Sequence, residues 1–330
     1  MSFRKLAISL TAVCAVSGGA AQAERLAVEG VYAARTDAAR GVAEISIEPI
    51  RGSEGYALEN ALIAQLGEAR IRGERFFRVA PASFDVDVSH ADVATLSGIA
   101  GSRIYDIADG EIEHTRCVRR VKMEDGSKEC VESVVDVYEC RRLHVEFRPK
   151  VELVGSAGTL YRRQDSFSNS QRYCADSSFV PSADAMIEPM ISRFARSVRL
   201  DLAPEQRFNR YRILEGRSGL ERSDRKAFKR AIKLTKSDPV GACKVFEDIL
   251  TRNPYQRSAL YNAALCREAD GALEFAAEAY DQLILASDKS RFRNGMARVN
   301  SRLLAREQIA ALSLTAMALA GDTPQSPSIE

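Results

Sequence analysis

The sequence predicts an α/β amino-terminal domain, a mixed sheet with flanking helices, followed by an all-α domain of helical hairpins. Three observations carry this. Apolar residues alternate at strand and helix spacings up to about residue 214. Beyond Glu215 the strand patterns vanish, charges cluster, and helical periodicity takes over. An apolar leader and six further cysteines mark the chain as one built for an oxidising compartment.

The leader comes first. Arg4 and Lys5 precede an apolar run over 6–16, too short to span a bilayer, and Ala21-Gln22-Ala23 offers small side chains where a signal peptidase reads. Residues 1–23 are therefore expected to be a cleaved signal. Thr11 and Val13 stand where a lipoprotein signal places Leu and Gly or Ala, so lipidation at Cys14 is not expected. No later apolar run reaches the length of a membrane span. The expected destination is the periplasm, with secretion or outer-membrane association as alternatives.

The α/β domain is expected over 25–214. Residues 42–50 alternate as a strand, 52–55 turn, and 56–71 place Leu58, Leu62, Ile63, Leu66 and Ala69 at helical spacing. Residues 76–80 read as a second strand. Ser89-His90-Ala91-Asp92 has the form of a capping box and predicts a helix through Val93, Leu96 and Ile99, with a third strand from 104–107. Asp125-Gly126 predicts a hairpin, 134–154 a long strand, and 155–158 a turn from which 159–167 returns. Pro181 starts a helix with Met186, Ile187, Met190, Ile191, Phe194 and Val198 on one side.

The helical domain is expected over 221–316. Ser223 is placed to cap a helix with Ala227, Phe228, Ala231 and Ile232 on one face, and Asp238-Pro239 opens a second that ends at Asn253-Pro254. Helices over 257–268, 272–286 and 291–314 follow, then a Pro- and Ser-rich tail over 317–330 that is expected to be disordered.

Leu260, Ala264, Gly271, Leu273, Ala276 and Tyr280 sit at the places a tetratricopeptide repeat gives its large, small, turn and aromatic residues. Ala242 and Phe246 precede Ala276 and Tyr280 by 34 residues, the length of that repeat. The carboxyl half thus resembles tetratricopeptide repeats, except that Arg267 replaces the usual aromatic. The resemblance implies a peptide groove in which Asn262 takes part. The order strand, helix, strand, helix, strand, long strand pair and helix resembles the periplasmic domains of the curli-export channel family, penicillin-binding-protein activators and the TolB amino terminus. Those domains imply binding of proteins rather than chemistry.

The cysteines of the exported part are Cys117, Cys130, Cys140, Cys174, Cys243 and Cys266. Cys243 and Cys266 are equidistant from the junction of Pro254 and Tyr255, so two antiparallel helices joined there bring them level and a disulfide is expected. Cys117 and Cys130 flank the Asp125-Gly126 turn, which suggests Cys117–Cys130 with Cys140–Cys174; Cys117–Cys140 is an alternative.

Candidate chemistry is sparse. His90, His114 and His144 form no metal or triad spacing. Asp85, Asp87 and Asp92 lack the glycine and terminal Glu of a calcium loop, and Gly52 and Gly55 lack the Lys-Ser/Thr of a phosphate loop. Residues 103–176 hold 13 basic and 14 acidic residues, a balance that predicts cross-strand ion pairs on solvated faces. Residues 205–236 differ, with 11 basic against 4 acidic. Lys226, Lys229 and Lys233, with Arg222 and Lys236, recur there at helical spacing and are candidates for an acidic peptide or anionic polymer, or else a solvated helix surface.

The resulting expectation is a non-enzymatic periplasmic adaptor with no cofactor, binding envelope proteins through the α/β domain and the helical groove. A cell-wall-directed hydrolase and a self-associating scaffold are the readings from other classes. Near-zero net charge gives no field toward nucleic acid.

Overall fold

The structure, a computed structural model, describes residues 24–81 and 92–321. The expected signal, Asp85, Asp87, Ser89, His90, Ala91 and residues 322–330 of the expected tail lie outside the described residues. The described chain forms two compact units. One contains 29–208 together with the chain from Arg293 onward. The other contains 24–28 and 209–292.

In chain order the elements begin with β1 (Arg25–Tyr32), β2 (Glu44–Ile47) and α1 (Gly55–Gly67). A short pair, β3 (Arg70–Ile71) and β4 (Glu74–Arg75), precedes β5 (Arg78–Pro81). Two very long strands follow, β6 (Val93–Lys122) and β7 (Lys128–Gly155), then β8 (Gly158–Gln164), β9 (Phe167–Cys174), α2 (Ala183–Leu202) and β10 (Glu205–Arg212). The main sheet runs β5-β2-β6-β7-β8, with β9 also on β7. β2 is parallel to β5 and β6, and the pairs made by β7 are antiparallel. β1 pairs with β10 in a separate ribbon.

The sheet has one core face. Leu96, Val145, Phe147, Val151 and Leu153 point to it, and Leu58, Leu62 and Leu66 of α1 with Met186, Ile187, Phe194 and Val198 of α2 cover it. Fully burying a side chain of this kind is worth about 1.5–3 kcal/mol, so this layer holds the unit together. The α2 helix starts where Pro181 predicts, with the Ser182 side-chain oxygen accepting the Ala185 N–H. The carboxyl-terminal helix α7 (Ser290–Gly321) contributes Ile309 and Leu312 to the same core. It is tied to the segment after β1: the Ser301 hydroxyl and carbonyl accept the Ala33 N–H, and buried Gln308 bonds Ala34, Thr36 and Asp37.

Three expectations change here. Val93, Leu96 and Ile99 lie in β6 and not in a helix. Their spacing of three imitates a helical stripe because the residues facing the core between them, Ala94, Gly98 and Ala100, are small. Parallel pairing with β2 and antiparallel pairing with β7 settle the strand. Residues 104–107 continue this strand rather than starting another. The return over 159–167 is two strands, β8 and the beginning of β9, both on β7.

The second unit stacks antiparallel helices α3 (Arg222–Leu234), α4 (Pro239–Arg252), α5 (Arg257–Asp270) and α6 (Leu273–Ala286). Ala242, Phe246, Ala264, Ala276 and Tyr280 are fully buried between them. The Phe228 and Phe246 rings meet edge-to-face at 5.4 Å, and Tyr261 packs beside Tyr280 and Phe292. Asp238 caps α4 by accepting the Gly241 N–H. Gly271 ends α5 at φ +81°, a conformation open to glycine at no steric cost. Ser223 is inside α3, and Glu221 stands at the cap without a side-chain bond. The first turn is held instead by Asp224, whose carboxylate accepts from Arg252 at 2.7 Å and from Asn253 at 2.7 Å. α7 runs to Gly321, through the start of the expected tail, and from Arg293 it belongs to the first unit rather than to the helical array.

Candidate functional site

The α5 helix carries the predicted groove residue, and its surroundings alter its role. Asn262 is fully buried. Its Oδ1 accepts the Leu214 N–H at 2.8 Å and its Nδ2 donates to the Leu214 carbonyl at 2.9 Å. Earlier in the chain, at the start of α5, Gln256 Nε2 donates to the carbonyls of Gly216 and Ser218, while its Oε1 caps the helix. The segment 213–220 is anchored at its ends by buried Ile213 and Leu220. An amide that grips both backbone groups of one residue binds extended chain irrespective of side chain. In this protein the chain it grips is its own.

Arg267, which stands in the repeat's aromatic place, reaches Glu247 of α4 with two bonds of 2.8 Å. A charged pair thus replaces a ring packed between hairpins. On α3, Lys226, Lys229 and Lys233 are exposed along one face with Arg222 and Arg230. Lys236 pairs with Glu24 at 2.9 Å. The α3 face can attract an anion, and Asp224 on the same helix is engaged by Arg252.

The six cysteines form Cys117–Cys130, Cys140–Cys174 and Cys243–Cys266, with Cα separations of 5.9, 3.9 and 5.7 Å. Cys140 and Cys174 face each other across β7 and β9.

Beyond the flanking strands, β6 and β7 continue as a two-stranded arm. β2 accompanies β6 only over Glu44–Ile47, Arg51 bridges to Ile99, and β9 ends at Cys174 opposite Cys140. No residue from Arg103 to Glu139 is buried. Ile104, Ile107, Val135 and Val137 are 52, 54, 51 and 54% exposed, and the apolar side chains lie on both faces. Asp125 Oδ1 accepts the Ser127 N–H at the tip, and Gly126 turns at φ +85°. A bulge at Asp109 and Gly110 lies at the root, and Cys117–Cys130 staples the outer half. Sequence reading found the turn and most of β7, which it began at 134 and not at Lys128, but the arm's isolation lies in which strands stop early.

One buried polar cluster stands apart from these surfaces. Asp201 of α2 accepts from the Tyr161 hydroxyl at 2.6 Å and from Arg163 and Arg35, and Arg163 also binds Asp165. Burial, then the bond to Asp201, pushes the Tyr161 phenol well above its usual range, so it stays a donor. The cluster ties β8, α2 and the 33–37 segment together, with its carboxylates neutralised by arginine. His114 pairs with Asp176 and His144 with Glu146, separately. Among the described residues, no group of three or more His, Cys, Asp or Glu is placed to hold a metal.

Fold and disulfides together define the class: an exported, disulfide-bridged chain with a mixed α/β sheet and helical hairpins. No family model and no curated protein matches the sequence. Solved structures that align with it include the rare lipoprotein B of Shewanella oneidensis, 9% identical over 47% of this chain and 87% of that one, at a TM-score of 0.23. A PelC dodecamer from Paraburkholderia phytofirmans is 14% identical over 53% of this chain and 97% of that one, at a TM-score of 0.21. Among the described residues, no helix is long and apolar enough to cross a membrane.

Proposed function

We propose that the chain is a non-enzymatic periplasmic adaptor for protein interaction or envelope assembly. The exposed β6–β7 arm carries this reading. A two-stranded ribbon with no covering layer is marginal in water, and its apolar side chains gain stability only when another surface covers them. The helical hairpins, read as tetratricopeptide-like, offer a second surface through the cationic face of α3, suited to an acidic peptide. The Asn262 clamp supports a changed role for the groove, since that residue already holds Leu214.

The test is site-specific photo-crosslinking in cells from Val135, Val137 and Lys226, with exposed Glu48 as control. The expected result is protein adducts from the arm positions and none from Glu48, with arm adducts lost when residues 111–137 are replaced by a short turn. Adducts absent from the arm, together with cleavage of cell-wall material by the purified chain, would overturn the reading in favour of a hydrolase.

A further inference from the structure

We infer that the surface covering the β6–β7 arm is the arm of a second copy of this chain, joined head to tail, the β6 edge of one to the β7 edge of the next. The inference rests on the adaptor reading's exposed arm and names its occupant. Both edges are open: among the described residues, no strand other than β7 pairs with β6 beyond Ile99, and none other than β6 pairs with β7 between Lys128 and Tyr138. Open edges of this length are templates for a further strand.

The charges select which strand. Over the outer arm, β6 from Thr115 to Lys122 carries Arg116, Arg119, Arg120 and Lys122 and no acid, while the β7 stretch opposite it, from Lys128, carries Glu129, Glu132 and the adjoining Asp136 against one lysine. Nearer the root the signs reverse, with Asp106 and Asp109 on β6 against Arg141 and Arg142 on β7. Within one arm these blocks already meet, as Arg116–Asp136 and Arg119–Glu132. A ribbon whose two strands complement each other also complements a neighbour pointing the same way, because β6 then meets the neighbour's β7 antiparallel in a similar register. Pairing β6 with β6, or β7 with β7, brings like charges together, which is costly in a strand pair. Arg120 and Lys122 on one edge and Glu129 on the other take no part in the arm's own ion pairs and remain for the neighbour. Head-to-tail contacts of this kind are heterologous and build rings or filaments rather than closed two-fold dimers.

Sedimentation velocity over a concentration series tests this with three chains. The native chain is expected to self-associate. Arg120→Glu with Lys122→Glu cancels the net positive charge of the outer β6 edge, and Glu129→Lys cancels the net negative charge of the β7 edge opposite it. Each variant alone is expected to weaken association about tenfold or more. An equimolar mixture of the two is expected to restore it, since the native β6 edge of one variant then meets the native β7 edge of the other. Circular dichroism confirms that the arm's sheet persists in both variants. A native chain that stays monomeric throughout overturns the inference while leaving arm crosslinks to another protein, and so the adaptor reading, intact. Association that survives both charge changes, or that the mixture does not restore, overturns it as well.

Discussion

At Asn262, one amide satisfies the N–H and carbonyl of Leu214 from a fully buried position. Replacing it with alanine strands both backbone groups, so Asn262→Ala is expected to cost about 1–3 kcal/mol, read as a lower denaturant midpoint of the helical unit. A binding residue open to solvent gives no such loss, so the measurement separates the two roles. Asp224 makes a pH-dependent contribution. The hydrogen bond from Arg252 comes first, and with that from Asn253 it holds the carboxyl below its ordinary range. A carboxyl lowered in the folded state adds stability that is full above its unfolded pKa of about 3.9 and is lost as pH falls through the folded value. Thermal unfolding of the native chain is therefore expected to fall more steeply below about pH 4 than that of Asp224→Asn. Equal slopes count against the contribution.

The α4–α5 hairpin shows how much of an element can be read in advance. Proline at the turn, a helical period on either side and two cysteines equally distant from it are local facts, and the helices bring Cys243 and Cys266 to 5.7 Å between Cα atoms. Cys243→Ser with Cys266→Ser is expected to destabilise the helical unit by about 2–4 kcal/mol, and the same loss should follow reduction of the native chain. The α5 clamp was not legible in the same way. Asn262 was visible as a residue of the right type, but its partner is 48 positions away in sequence and is a backbone group with no side-chain signature. β6 was misread for a related reason. Its inward side around Leu96 is built from the small residues Ala94, Gly98 and Ala100, and only pairing with β2 and β7 distinguishes that pattern from a helical stripe.

For the molecule as a whole, the division of α7 and the isolation of the arm carry the functional argument. The sequence places the last helix with the repeats, yet Ser301 and Gln308 fasten it to residues 33–37 of the α/β unit. The arm makes β6 and β7 the longest strands among the described residues, and the Cys117–Cys130 bridge near its end limits fraying there. Opening that bridge with Cys117→Ser and Cys130→Ser is expected to speed amide exchange in residues 111–137 while leaving the β2 and β8 amides unchanged. Even loss of protection across the whole sheet argues against the arm as a separate element.

By itself the sequence determined the fold class, the helical period of the carboxyl half, the hairpin at Asp125-Gly126 and the set of cysteines available for pairing. These follow from local periodicity, turn chemistry and composition, each readable within a few residues. Tertiary structure decided that β6 is a strand, that Asn262 grips its own chain, that α7 crosses to the α/β unit, and that the arm stands uncovered. Each of these depends on where distant segments stop or meet, and no local window of sequence records that.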